Sequence, residues 1–400
     1  MMKKTNDLII VSSFIICICS ISAFLLFSPS KEVSETENRP LEVAPQLSLT
    51  GVLAGDFSDG VEAYATDQFP ARDAWIKSYL RWQIMSGQTF IHDYYLADDW
   101  VFPRPFTEVD EAAISFATEQ MEELVEYTAN EAIELFFFSL PDRRYMIDMS
   151  FPKRVQNNVL QRDKNTFLPK LRTVGIRAVD IGEEWQETYE TNNFRPYYYR
   201  TDHHWNVDGA LLAYESIHET LRDESTTFQK DAFDPSAFDK HCLTDKEFLG
   251  SYNRQLYGYV DATDEPLCYY LPSEAAIDDW DVYQHEIAEG NELSFSDIFG
   301  VAEQKDEKQI AYDELFMSDY DELHILNETG EGKALILKDS YANPLIPLMA
   351  NNFAQTTIYD VRHNEGRDLR AFIETHDFST VIFLYSNGRT LDYLYDWTLD

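Results

Sequence analysis

The sequence predicts an α/β fold, a parallel sheet with helices on both faces, and three observations predict it. Ile133 to Ser139 is an apolar-rich run of strand length, as a strand buried on both faces requires. Similar short runs return at Gly175 to Ile181, Ala334 to Leu337, Thr357 to Tyr359 and Thr380 to Tyr385. Helical patterns lie between and around them, at Glu108 to Asn130, Leu160 to Arg172, from Ala210 onward, Pro344 to Phe353 and Arg367 to Thr375. Such alternation implies a parallel sheet with covered faces. With 44% hydrophobic and 14% aromatic residues, the chain of 400 residues can bury a sizeable core.

At the N-terminus, Lys3 and Lys4 precede Leu8 to Phe27, a stretch without charge that is long enough to span a bilayer. The basic flank favours a cytoplasmic N-terminus. No convincing small-x-small cleavage site follows, and Ile18 rather than a small residue precedes Cys19, against a lipoprotein site. The expectation is a cytoplasmic stub and transmembrane signal anchor over 1–30, a Ser-, Glu- and Pro-rich linker over 31–50, and a domain outside the cytoplasm over 51–400. A cleaved signal peptide, the alternative, would export the same domain.

Gly55 to Ser86 carries an amphipathic helical pattern: Val61, Tyr64 and Phe69, then Trp75, Tyr79, Leu80 and Trp82. Val101-Phe102 reads as a short strand. Residues 224–330 are acidic, Tyr-rich and weakly periodic, and read as an irregular insertion rather than a separate domain. Within it, Gly250-Ser251-Tyr252-Asn253 marks a loop near the candidate site.

Net charge is −39, from 71 acids against 32 bases. Phosphate binding needs clustered Lys and Arg, so nucleic acid is excluded as a partner, and broad adsorption on anionic lipid is disfavoured. Cys17 and Cys19 fall in the apolar segment. Cys242 and Cys268 fit either one disulfide outside the cell or two separate buried thiols. Neither has a zinc-type spacing.

The chemistry concentrates in Arg200-Thr201-Asp202-His203-His204-Trp205-Asn206. Asn206 can cap the helix that follows, where Leu211, Tyr214, Ile217 and Leu221 recur at helical spacing. A reactive cluster on a loop before a helix is a common arrangement. Downstream, Lys333 to Lys338 ends in Asp339-Ser340-Tyr341 at a predicted strand-to-helix turn, where α/β folds place their ligands.

Thr201-Asp202-His203-His204-Trp205 resembles the signature of the bacterial DHHW-motif family. That family resembles the SGNH-hydrolase-like alginate O-acetylation proteins, whose matching motif is Asp-x-His-Trp. The likeness extends to Glu37-Asn38-Arg39, Asp67-Gln68-Phe69-Pro70-Ala71-Arg72, the Asp-Ser-Tyr turn and Tyr359-Asp360-Val361-Arg362. It implies a permuted SGNH-hydrolase-like domain in which Asp and His precede the nucleophilic Ser.

By that resemblance the catalytic residues are Ser340, His204 and Asp202. A serine hydroxyl needs a base within reach, and the base needs an orienting acceptor. Asp202 and His204, two apart in an extended segment, project to one side, and His203 to the other. Further substrate or oxyanion candidates are Tyr341, Arg362, Asn387 and His203; Arg39 and Arg72 match family positions and read as structural. The competing reading of Arg362 is a salt bridge to Asp360, and that of Asn387 is an Asn-Gly turn. Zinc on Asp202, His203 and His204, with His363, is the weaker alternative because adjacent histidines diverge in extended chain; no metal or cofactor is expected.

The resemblance implies an enzyme handling O-acetyl groups of a cell-surface polysaccharide, with O-acetyltransferase favoured over esterase. Its partners would be an acyl donor, the polysaccharide acceptor and a membrane-bound acyltransferase. The alternative is a non-catalytic glycan-binding or assembly protein, with sugars stacking on aromatics of region 252–283.

Overall fold

Strands that are apolar on both faces must be covered on both, and the central strands achieve this residue by residue. The computed structural model describes residues 2–34, 36–37, 39–147, 151–156, 158–189, 193–228, 230–273, 277, 280–364 and 366–399, with backbone alone at 2–8 and 26. The chain forms two compact units, Met1–His92 with Asn253–Val260, and Asp93–Tyr252 with Asp261–Asp400.

The larger unit is built on an eight-stranded sheet: β1 (Glu134–Leu140), β2 (Arg177–Asp180), β3 (Trp280–Gln284), β4 (Glu292–Leu293), β5 (Glu322–Asn327), β6 (Lys333–Lys338), β7 (Gln355–Tyr359) and β8 (Thr380–Ser386). Their order is β4-β3-β5-β7-β6-β8-β1-β2. The run from β7 to β2 is parallel. The pairs β5–β7, β3–β5 and β3–β4 are antiparallel, so the sheet is mixed rather than parallel as expected. The reason is connection length. The chain passes from Asn327 to Lys333 without a helix, and a parallel return would need a crossover of a dozen residues or so.

Side chains alternate across the central strands. Phe136, Phe138, Ile336, Ile382 and Leu384 face a layer holding Trp205, Tyr214, Ile217 and Leu345. Phe137, Leu335, Leu337, Val381 and Phe383 face the opposite layer, with Ile114, Met121, Phe167, Leu171 and Phe372. The helix Val207–Glu224 therefore covers one face, and Glu111–Asn130, Asn158–Thr173 and Leu369–His376 the other. The expected helix at Pro344 to Phe353 is split into a 3-10 turn at Ser340–Leu345 and a short α-helix at Ile346–Ala350. Pro344 and Pro347, which lack N–H donors, fall inside that stretch.

Residues 224–330 do more than decorate, since they supply β3, β4 and β5. Within them Phe238–Cys242 pairs antiparallel with Cys268–Pro272. Cys242 stands directly opposite Cys268, and the two form a disulfide.

The smaller unit carries helices Met2–Phe27, Leu49–Ala54, Asp56–Asp67 and Arg72–Met85. The segment expected as a linker forms part of it, with Val33–Ser34 paired to Arg39–Pro40. Arg39 donates to Asp67 at 2.6 and 2.9 Å, and Arg72 donates to Glu37 at 2.9 Å, so both arginines are structural, as expected. Asn38, between Glu37 and Arg39 in the motif, lies outside the described residues. The expected span Leu8 to Phe27 falls inside the first helix, although Leu8 and Leu26 are described by backbone alone. Among the described residues no helix is long and apolar enough to cross a membrane.

Candidate functional site

The residues after β6 and those before the helix Val207–Glu224 meet beyond the sheet. Asn206 caps that helix, its Oδ1 accepting from the N–H groups of Asp208 and Gly209 at 3.1 and 3.2 Å. Trp205 is fully buried, and its Nε1 donates to the Tyr341 carbonyl at 3.0 Å. One side chain thus joins the loop to the Ser340 turn. Asp339 shapes that turn, accepting from Tyr341 N–H at 2.9 Å and Ser386 N–H at 2.8 Å.

Within this frame Asp202, His204 and Ser340 form a chain of hydrogen bonds. His204 Nδ1 lies 2.6 Å from Asp202 Oδ1, and His204 Nε2 lies 3.0 Å from Ser340 Oγ. With Nδ1 protonated toward the carboxylate, Nε2 is left to accept the serine hydroxyl. Burial pushes the Asp202 carboxyl up. The His203 and His204 rings, where acid charges them, and the hydrogen bonds from His204 and the Ser251 N–H more than offset this and hold it well below the usual carboxylate range. Tyr312 stacks flat on the His204 ring, with centroids 3.6 Å apart.

His203 departs from its expected direction. Residues 200–204 bend rather than extend, so side-chain alternation fails, and the His203 ring packs on His204. Its Nδ1 meets Ser251 Oγ at 2.8 Å. Burial and the neighbouring His204 lower its pKa, so it is neutral near pH 7.

Tyr341 is buried with its hydroxyl committed, accepting from Arg143 N–H at 2.9 Å and donating to the His203 carbonyl. It is a strut, not a group free for substrate. Arg362 is bound to Asp360 through Nε at 2.9 Å and Nη2 at 2.5 Å, and lies 3.1 Å from Asp319; the salt-bridge alternative is what forms. Asn387 accepts from Asp142 N–H at 2.7 Å, while its buried Nδ2 has no partner among the described residues.

Ligand atoms of Asp202, His203 and His204 lie within 4.8 Å of one another, but both His204 nitrogens are already engaged. His363, weighed as a fourth zinc ligand, groups instead with Asp319 and Asp360. The aromatics expected to stack on sugars are largely interior: Tyr252, Tyr269 and Trp280 are each 7% exposed.

Sequence reasoning anticipated that Gly250–Asn253 lies near the site, although the expected loop turns into a short helix, Ser251–Gln255. Ser251 N–H donates to Asp202 Oδ2 at 2.5 Å, and Tyr252 N–H to the Thr201 carbonyl at 3.1 Å. It missed Glu265, Tyr312 and Arg143. Glu265 accepts from Arg200 N–H and the Thr201 hydroxyl. Arg143, fully buried, donates to the carbonyls of Val101 and Arg200 at 2.9 and 3.2 Å. An arginine beside the strand-ending Pro141-Asp142 was a usable signal; Glu265 and Tyr312 sit in acidic, aperiodic sequence with none.

Residues 97–262 match the family described as SGNH hydrolase-like domain, acetyltransferase AlgX. Among solved structures, Bacillus cereus PatB1 is similar at 27% identity and TM-score 0.67, over 76% of this chain and 98% of that one. The same protein with a sulfonyl adduct is similar at 25% identity and TM-score 0.66, over 76% and 98%. A DHHW family protein from Eubacterium siraeum shares the fold at 16% identity and TM-score 0.51, over 77% of this chain and 95% of that one. No curated protein matches. The mixed sheet, the Asp-His-His-Trp loop and the Asp-Ser-Tyr turn thus belong to an SGNH-hydrolase-like α/β fold, similar to the DHHW-motif and alginate O-acetylation proteins.

Proposed function

We propose that the chain is a membrane-anchored enzyme outside the cytoplasm that handles O-acetyl groups of a cell-surface polysaccharide, with transfer favoured over hydrolysis. The observation that carries this reading is the Asp202–His204–Ser340 chain of hydrogen bonds. The likeness to the acetyltransferase-type domain supports the choice of acyl group.

In this reading Ser340 Oγ attacks the acetyl carbonyl of a donor ester while its proton passes to His204 Nε2. Asp202 stabilises the imidazolium. The donor alcohol leaves with the proton, and acetyl-Ser340 remains. His204 then takes the proton of an acceptor hydroxyl, whose oxygen attacks the ester. Collapse moves the acetyl group to the acceptor and returns the proton to Ser340. A sugar hydroxyl as acceptor gives transfer; water gives hydrolysis. The unpartnered Asn387 Nδ2 is assigned as an oxyanion donor. Arg362, held by Asp360, acts at most through its exposed edge on an acyl or sugar oxygen.

The arrangement along the chain is residues 1–30 as stub and anchor, 31–50 leading out, and 51–400 outside the cytoplasm. A membrane-bound acyltransferase supplies the acetyl donor. Intact-protein mass spectrometry after exposure to an activated acetyl ester tests the chemistry: one acetyl increment is expected, absent in Ser340→Ala. A folded chain that never acquires it would refute the enzyme reading and leave the glycan-binding alternative. Retention of the full chain in membranes washed with alkaline carbonate tests the anchor, and release would refute it.

A further inference from the structure

The helix Arg72–Met85 carries an unusual surface. Trp75, Tyr79, Trp82 and Met85 are 65%, 51%, 57% and 87% exposed, while Leu80 and Gln83 are buried. Steps of four, three and three residues set the exposed group along one side of the helix. The Tyr79 and Trp82 rings stack on each other, centroids 5.7 Å apart. Scattered exposed apolar residues need no explanation, but a contiguous aromatic patch marks a binding surface. Trp and Tyr, each with an apolar body and a polar tip, are the side chains that settle at the headgroup level of a bilayer.

The same compact unit says what covers this surface. It contains the helix Met2–Phe27, whose uncharged stretch exposes Ile10, Phe14 and Ile16 at 67%, 65% and 64%. The end of that helix is bonded to the helix Asp56–Asp67, and Lys31 just beyond it to Gln68 in the turn that leads to Arg72. Tyr64 donates its hydroxyl hydrogen to the Leu25 carbonyl at 3.4 Å. Gln68 brackets Lys31, accepting from its N–H and donating to its carbonyl, both at 2.9 Å. Phe24 shares a hollow with Phe69, Ala71 and Ala74, and Trp75 follows directly. An apolar helix placed in lipid brings its outer end, Phe24 to Ser28, to the headgroups. These bonds then fix the first turn of Arg72–Met85 at the same depth.

We propose that Trp75, Tyr79, Trp82 and Met85 form a membrane-contact face that lies in the headgroup layer beside the anchor. The inference rests on the anchor reading given under Proposed function, and its occupant is lipid. The contact is aromatic and apolar, and the chain carries a charge of −39, so neutral lipid suffices and binding is insensitive to salt.

The test uses the full chain in phosphatidylcholine vesicles, with and without bromine on the acyl chains near the headgroup. The segment Leu8 to Phe27 has no tryptophan, and Trp100, Trp185, Trp205, Trp280 and Trp397 are at most 7% exposed. Bromine is therefore expected to quench Trp75 and Trp82, two of the chain's 7 tryptophans, and to have no effect on the folded Trp75→Phe/Trp82→Phe variant. A chain that floats with the vesicles but emits equally from both lipids overturns the proposal and leaves the anchor intact. A chain that does not float overturns both. Emission unaffected by bromine, with cross-linking through this face that grows with protein concentration, overturns the proposal in favour of a second copy of the chain.

Discussion

The rings of His203 and His204 lie 3.7 Å apart, centroid to centroid, and it is His204 whose Nε2 meets Ser340, while His203 turns its Nδ1 to Ser251. Neighbours of equal intrinsic chemistry are thus given separate tasks by two hydroxyl groups. His204→Ala is expected to reduce acetyl-Ser340 formation by about 10²-fold or more, as when a general base is removed. His203→Ala loses a packing partner rather than the base and is expected to stay within about tenfold of wild type. Asp202→Asn disturbs the tautomer of His204 and falls nearer the first variant. Burst amplitude with an activated acetyl ester separates them. A dead His203→Ala beside an active His204→Ala would reverse the assignment.

Gly250 supplies a second test that touches no reacting group. A Cβ there would lie 2.4 Å from the Thr201 carbonyl oxygen, a backbone atom that cannot step aside alone. Gly250→Ala is expected to displace the Ser251 loop and loosen its hold on Asp202. The burst rate falls, on the order of tenfold, while the helical and sheet circular dichroism is retained. Wild-type rates in this variant would mean that the loop does not govern Asp202.

Arg143 links three stretches from within, donating to Val101 and Arg200 while its guanidinium lies 5.0 Å from the Trp100 ring centre. Arg143→Met fills much of the volume but takes the donor from the buried Val101 carbonyl, an unpaired acceptor costing about 1–3 kcal/mol, while the Arg200 carbonyl keeps its bond from Val101 N–H at 3.0 Å. Chemical denaturation should therefore show a loss of about 1–3 kcal/mol. Arg143→Lys is expected to recover little of it, because an ammonium cannot reach two carbonyls as a fork does.

The Arg39–Asp67 pair gives a pH dependence. The bond from Arg39, chiefly, lowers the Asp67 carboxyl to about 2. Its unfolded value is about 3.9. A carboxyl depressed on folding contributes stability above its unfolded pKa and loses it as pH falls through the folded one. The Arg39 side chain is 40% exposed, so solvent screening limits the effect to on the order of 1 kcal/mol. Wild type should exceed Asp67→Asn by that amount near pH 5, with the gap closing toward about pH 2 in acid denaturation. A gap that persists unchanged at that pH would show that Asp67 stabilises by packing alone.

Legibility in the sequence followed the strength of the local signal. β1, β6 and β8 are buried on both faces, and their apolar runs announced them. The antiparallel side of the sheet stayed hidden. Trp280–Gln284 and Glu292–Leu293 keep several residues partly exposed and are correspondingly polar. Asp202, His204 and Ser340 were found because motif and turn chemistry coincide there. The direction of His203 was misread because periodicity presumes an extended chain, and residues 200–204 bend. Glu265 and Tyr312 act through tertiary placement alone, which no spacing rule encodes.

The bond between Cys242 and Cys268 closes a loop that contains both Ser251 and Glu265, the two residues that grip the Asp202 turn from outside. Site geometry is thereby coupled to thiol oxidation. A chain folded under reducing conditions keeps its sheet, because the bridge ties none of the eight strands together, but its grip on the carboxylate rests on a segment with one cross-link fewer. The oxidation state of the compartment in which the protein matures therefore bears on how firmly Asp202 is held.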